Sequence, residues 1–190
     1  VKVKYVDGFK EIKPFINEPP QLLAKELIKS KKYFKGINTL LYYSISKITN
    51  DISYYYRYVL RNINKLDEEY DLAVAYAGPM DLITYFVLNK VKAKKKAQWI
   101  HFDITKIGFN KAFAEKNYKK FNKVFVVSEE GKNKLINLIP SLKEKAEVFF
   151  NVISYKLIED MSKKEKSFDD NFDGKRILTV GRLSKKKDKI

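Results

Sequence analysis

The chain has 190 residues, of which 45% are apolar and 14% aromatic, enough to bury a sizeable core; this excludes a disordered tail and fits one domain or one and a fraction. There is no cysteine, which excludes a disulfide framework and a thiolate zinc site and fits a reducing cytoplasm. The net charge of +16 is almost all lysine, since Arg57, Arg61, Arg176 and Arg182 are the only arginines; solvated lysine is the plain reading and attraction to an anionic membrane the second, while nucleic-acid recognition, which favours arginine, is not expected.

Val1 to Val6 alternates apolar residues with lysine, as an edge strand does, and the first residue is Val rather than Met, as expected of a chain cut from a longer one. A helix is predicted from Pro19 and Pro20, with Leu23, Ala24, Leu27 and Ile28 on its buried side. Leu41, Ile45, Ile48, Ile52, Tyr55 and Val59 follow steps of four and three. They predict one stripe along a helix of about 25 residues, roughly 38 Å if unbroken, with Asn50-Asp51 as its break point. Tyr42, Tyr43, Tyr54, Tyr55, Tyr56 and Tyr58 exceed what one stripe can hide, so some should face solvent, a partner or lipid headgroups.

From residue 70 the pattern changes to apolar runs separated by helical stretches, which predicts a parallel α/β sheet with strands covered on both faces. The strands are expected over Tyr70–Tyr76, Ala97–Phe102, Lys123–Val127 and Ala146–Val152. Between the first two, Leu82, Ile83, Phe86, Val87 and Val91 recur at helical spacing. Ser128 is placed to cap the helix after the third strand, with Glu129 and Glu130 in its first turn and its end before Pro140. Residues 156–175 turn polar and charged, a linker composition, and a strand of a new sheet is expected at Arg176. No apolar run is long enough to cross a bilayer.

His101 is the only histidine, and it lies with Asp103 at the predicted carboxyl end of the second strand. A lone histidine is most often a satisfied structural residue. In open α/β sheets, however, ligands bind outside the carboxyl ends of the strands, which places His101 and Asp103 in the functional layer. Gly78-Pro79 and Ser128 occupy the matching ends of the first and third strands, where they can line the same cleft; for the Gly-Pro pair a plain turn serves equally well. At the end of the last apolar run stands Gly181-Arg182, with Lys187 five residues later: a close-approach glycine, a forked donor and a point charge, suited to phosphate.

Taken in order, five segments resemble the retaining family 4 glycosyltransferases of the GT-B fold: Tyr70–Tyr76, Lys95–Asp103, Val124–Glu130, Phe149–Ile153 and Ile177–Lys187. Two positions depart from the family pattern, Asp188 standing where glycine follows the lysine and Val152 where the crossover proline would be. The resemblance implies two Rossmann-like domains facing each other across a cleft. Residues 1–155 would be an acceptor-side domain lacking its first strands, 156–175 an interdomain linker and 176–190 the start of the donor domain. It further implies hexose transfer, with retained configuration and no metal, from a nucleotide-diphosphate sugar to a glycan or lipid-linked acceptor, in cell-surface polysaccharide or lipopolysaccharide synthesis. Gly181, Arg182 and Lys187 would hold the donor diphosphate and His101 would contact the sugar near the reacting centre. No cofactor is expected beyond the donor, the location is cytoplasmic or at the inner face of the membrane, and the chain alone is expected to be inactive. A non-catalytic basic module docking on anionic membrane, and a GT-B relative acting as epimerase or phosphorylase, are the alternatives.

Overall fold

The computed structural model describes residues 6–78, 81–106, 108–164, 172–175 and 177. The edge strand expected before Val6, Pro79, and the final segment with Gly181, Arg182 and Lys187 lie outside the described residues. The chain divides into two units, Val1–Asn151 and Val152–Ile190.

The first unit opens with four helices: α1 (Phe9–Asn17), α2 (Pro20–Lys29), α3 (Tyr33–Ile48) and α4 (Ser53–Val59). No periodicity announced α1, a two-and-a-half-turn segment that buries only Ile12 and Phe15. Pro20 opens α2, where a missing N–H costs nothing, and Leu23 and Ala24 face inward. The single long helix is interrupted, as the Asn50-Asp51 pair suggested. Asn50 sits in the left-handed region at φ 51°, and Asp51 Oδ1 accepts from the Ser53 backbone N–H at 3.0 Å, which starts α4 in a new direction.

The apolar stripe expected to be buried on this helix is a correction. Leu41 and Ile48 are exposed, and α3 buries Gly36, Thr39 and Ser46 instead. The cause is a close approach of α2 and α3: a Cβ on Gly36 would lie 2.9 Å from the Ala24 carbonyl oxygen and 2.7 Å from Ile28 Cγ1. Only small side chains fit at that separation, and the two hydroxyls stay satisfied by donating to the Lys35 and Tyr42 carbonyls at 2.7 and 2.9 Å. Most of the tyrosines then go to the core. Tyr55 and Tyr58 are buried, Tyr42 stacks on Tyr58 at 4.9 Å, and the Tyr58 hydroxyl donates to the Lys35 carbonyl at 3.0 Å.

The remainder of the unit alternates β1 (Glu69–Gly78), α5 (Asp81–Lys90), β2 (Lys92–Ile100), α6 (Lys111–Tyr118), β3 (Lys123–Val126), α7 (Glu129–Leu138) and β4 (Ala146–Val148). All neighbouring strands pair parallel in the order β1-β2-β3-β4, an α/β arrangement with Rossmann-like β-α-β repetition. β2 begins five residues earlier than its apolar run suggests, because Lys92–Lys96 pair with Glu69–Ala73 of β1; Lys96 Nζ also donates to the Val87 and Leu88 carbonyls at the end of α5, at 2.9 and 3.0 Å. β4 ends at Val148 rather than Val152, although the Phe149 N–H still donates to the Val126 carbonyl at 2.8 Å.

The three crossover helices cover one face of the sheet. There Ile100, Val124 and Val126 pack with Ala114 and Tyr118 of α6 and Leu135 of α7, while Ala73 and Ala75 pack with Val87 of α5. Thr84 of α5 donates to Gln98 Oε1 at 2.7 Å, both residues being fully buried. The opposite face is not covered as expected: Leu72, Tyr76 and Phe149 are exposed and Trp99 and Phe125 half-buried. Trp99 meets Tyr76, Phe125 and Phe149 at centroid distances of 5.4, 5.7 and 4.7 Å. The second unit holds α8 (Tyr155–Ser162), capped by Ser154 Oγ accepting from the Leu157 N–H, so part of the stretch read as linker is helical.

Candidate functional site

The register of the sheet brings the strand ends level, Gly78 opposite Ile100, Ile100 opposite Val126 and Val126 opposite Val148. Beyond this edge the chain leaves β2 through His101, Phe102 and Asp103 and leaves β3 through Val127 and Ser128. Between the two exits lies a crevice of about 110 Å³ lined by Ile100, His101, Phe102, Asp103, Val126, Val127, Ser128, Glu130, Gly131 and Lys134. Of the residues singled out in the sequence, His101, Asp103 and Ser128 come together here. Gly78 ends the adjacent strand but is not among the lining residues, and Gly181, Arg182 and Lys187 lie outside the described residues.

His101 alternates with Trp99 along β2, which puts both rings on the aromatic face of the sheet. The imidazole stacks on the Trp99 indole, 5.6 Å between centroids and 5° between planes, and Tyr76 approaches it edge-on at 4.4 Å. Its Nε2 is buried without a hydrogen-bond partner among the described residues, and so is Trp99 Nε1. A structural histidine ordinarily has such a nitrogen bonded within the fold. Here Nε2 is enclosed by ring contacts and keeps no polar partner among the described residues.

Asp103 is oriented from three sides. Its Oδ1 accepts from the Thr105 N–H and hydroxyl at 2.9 and 2.6 Å, and its Oδ2 accepts from Lys134 Nζ at 2.8 Å. The lysine, followed by these threonine bonds, holds the carboxyl well below the usual carboxylate range. Lys134 also pairs with Glu130, one helical turn back, at 2.5 Å, and the two carboxylates raise its pKa. Ser128 closes the N-terminus of α7, its Oγ accepting from the Gly131 N–H at 3.0 Å. The lysine is therefore answered by two carboxylates and the helix end by a hydroxyl. Such a crevice offers no net positive charge to a phosphate; its carboxylate acceptors suit a neutral, hydroxyl-rich group.

Sequence reasoning missed Lys134, Glu130 and the Tyr76 contact. The signals were the i, i+4 Glu130/Lys134 pair directly after a capping serine and the alternation of Trp99 with His101, whose common face becomes meaningful only once strand pairing is known.

A second concavity, of about 340 Å³, lies among Phe15, Tyr43, Tyr55, Tyr56 and Asp81. Asp81 Oδ1 is buried there without a hydrogen-bond partner, and burial pushes its carboxyl up to about 7. Among the described residues no group of three or more His, Cys, Asp or Glu side chains could hold a metal ion, and no helix is long and apolar enough to cross a membrane.

No protein-family model, curated protein or solved structure matches the chain.

Proposed function

We propose that the first unit is the acceptor-side Rossmann-like domain of a retaining GT-B glycosyltransferase, which moves a hexose from a nucleotide-diphosphate sugar to a glycan or lipid-linked acceptor of the cell surface. The observation that carries this reading is a crevice outside the carboxyl ends of parallel strands whose lining brings His101, Asp103 and Ser128 together and holds one lysine against two carboxylates. Sugar hydroxyls match the acceptor capacity of Asp103 and Glu130, and the apolar faces of sugar rings match the exposed Phe102 ring. The excess of one carboxylate over the single lysine agrees with a division of labour in which the diphosphate is held elsewhere.

In the proposed reaction the bond from the anomeric carbon to the donor diphosphate breaks and its electron pair goes to the leaving oxygen. Arg182 and Lys187 stabilise the charge that develops there, and Gly181 lets the phosphate approach the backbone. An acceptor hydroxyl forms the new bond on the same face of the sugar and gives its proton to the departing phosphate. His101 orients the hydroxyls beside the reacting carbon, and Asp103, fixed as a carboxylate by Lys134, shapes the wall next to it.

Ligand-observed NMR with hexose oligosaccharides tests the acceptor side. Saturable binding that weakens about tenfold or more in His101→Ala, one charge-assisted or well-placed hydrogen bond in strength, is the expected result. Equal binding by both proteins refutes the role of His101. For the donor side, equal affinities of wild type and Arg182→Ala for a nucleoside diphosphate would remove the phosphate grip.

A further inference from the structure

We infer that the outward face of α3 docks the protein on an anionic lipid surface. This surface lies on the side of α3 turned away from the core, and it stands independently of the transferase reading.

At 100° per residue, Phe34, Ile37, Leu41 and Ile48 fall on one side of α3, with half-buried Ile45 beside them. Their exposures are 87%, 58%, 50% and 85%, against complete burial of Thr39 on the other side. The stripe runs about 21 Å at 1.5 Å per residue. Folding does not require it, because the contact with α2 is made by Gly36 and its small neighbours. An apolar row of this length on the outer side of a helix already packed by its inner side marks a contact surface.

Charge decides what the row meets. Between Pro20 and Ile48 there are six lysines, at 25, 29, 31, 32, 35 and 47, and one carboxylate, Glu26. All but Lys35 are exposed, and Lys47 directly precedes Ile48, the most exposed isoleucine of α3. A second copy of the chain would set the same lysines against themselves, which disfavours self-association. The row stands on the convex side of a single helix, and a bilayer can yield to such a ridge, with lysine stems reaching anionic headgroups while the apolar side chains enter the acyl boundary. An anionic lipid surface satisfies both the apolar and the charged parts at once.

Co-sedimentation with vesicles of phosphatidylcholine, with and without about 30 mol% phosphatidylglycerol, tests this. Wild type should bind the anionic vesicles, and binding should fall about tenfold or more in the double variant Phe34→Glu, Ile48→Glu and, separately, in the triple variant Lys29→Gln, Lys31→Gln, Lys32→Gln. All five positions are exposed, so an unchanged circular dichroism spectrum accompanies the expected loss. Three results would overturn the inference: no binding by wild type, undiminished binding by the glutamate pair, or a wild-type dimer in light scattering that the glutamate pair converts to monomer, which would show that α3 faces a second copy.

Discussion

Asp81→Asn tests a buried carboxyl that lacks a donor at one oxygen. Its carboxyl is raised from 3.8 to about 7 by burial, and Oδ1 has no donor to offset the loss of water. Between those two values the folded state keeps a proton that the unfolded state has released. The contribution is therefore fully present below 3.8 and is lost as pH rises through about 7. A displacement of roughly three on the pH scale, at about 1.36 kcal/mol each, sets a ceiling near 4 kcal/mol. Partial water access and the favourable N-terminal end of α5, where Asp81 lies, bring the expected value to about 2 kcal/mol. Asparagine keeps the shape and cannot ionise, so the variant should be more stable than wild type by about 2 kcal/mol near pH 8, and the gap should close toward pH 4. Urea unfolding followed through Trp99, the only tryptophan, gives the midpoint for both proteins at each pH. Comparing variant with wild type cancels carboxylates that act in the opposite sense, such as Asp103, whose pKa is lowered. A variant no more stable near pH 8, or a gap independent of pH, would refute the reasoning.

Thr84→Val removes the donor to the buried Gln98 amide oxygen and should cost about 1–3 kcal/mol, whereas adding Gln98→Leu removes the orphaned amide and should recover much of the loss; a double-mutant cycle by urea unfolding measures both. Gly36→Ala forces α2 and α3 apart and should destabilise by about 1–3 kcal/mol despite alanine's better helix propensity, a balance read from the thermal midpoint; a stabilised variant would show that the helices can separate freely. Lys134→Met takes the main partner from Asp103, so the carboxyl should titrate closer to the ordinary range in an NMR titration. The stability Asp103 contributes above its unfolded pKa should shrink accordingly.

The central strands were legible because continuous apolar runs such as Val124–Val126 have few other uses, and α7 because Ser128, the acidic first turn and Pro140 mark both its ends. The start of β2 was hidden in Lys92–Lys96, whose lysines read as polar surface until the pairing with β1 and the bonds from Lys96 to the α5 carbonyls are in view. α3 misled through its orientation rather than its existence. Periodicity locates an apolar stripe but does not say which side faces the core, and a glycine-mediated contact reversed the usual answer. At the site, position in the sheet identified His101 and Asp103. Lys134 became visible only through the 2.8 Å contact across 31 residues of chain.

The inverted packing of α3 separates two kinds of evolutionary constraint that most helices combine. Substitutions at Gly36, Thr39 or Ser46 are judged by whether the chain folds, whereas those at Phe34 or Ile48, almost wholly exposed, leave the interior untouched. That outer row can be retuned, weakened or exchanged without endangering the scaffold behind it.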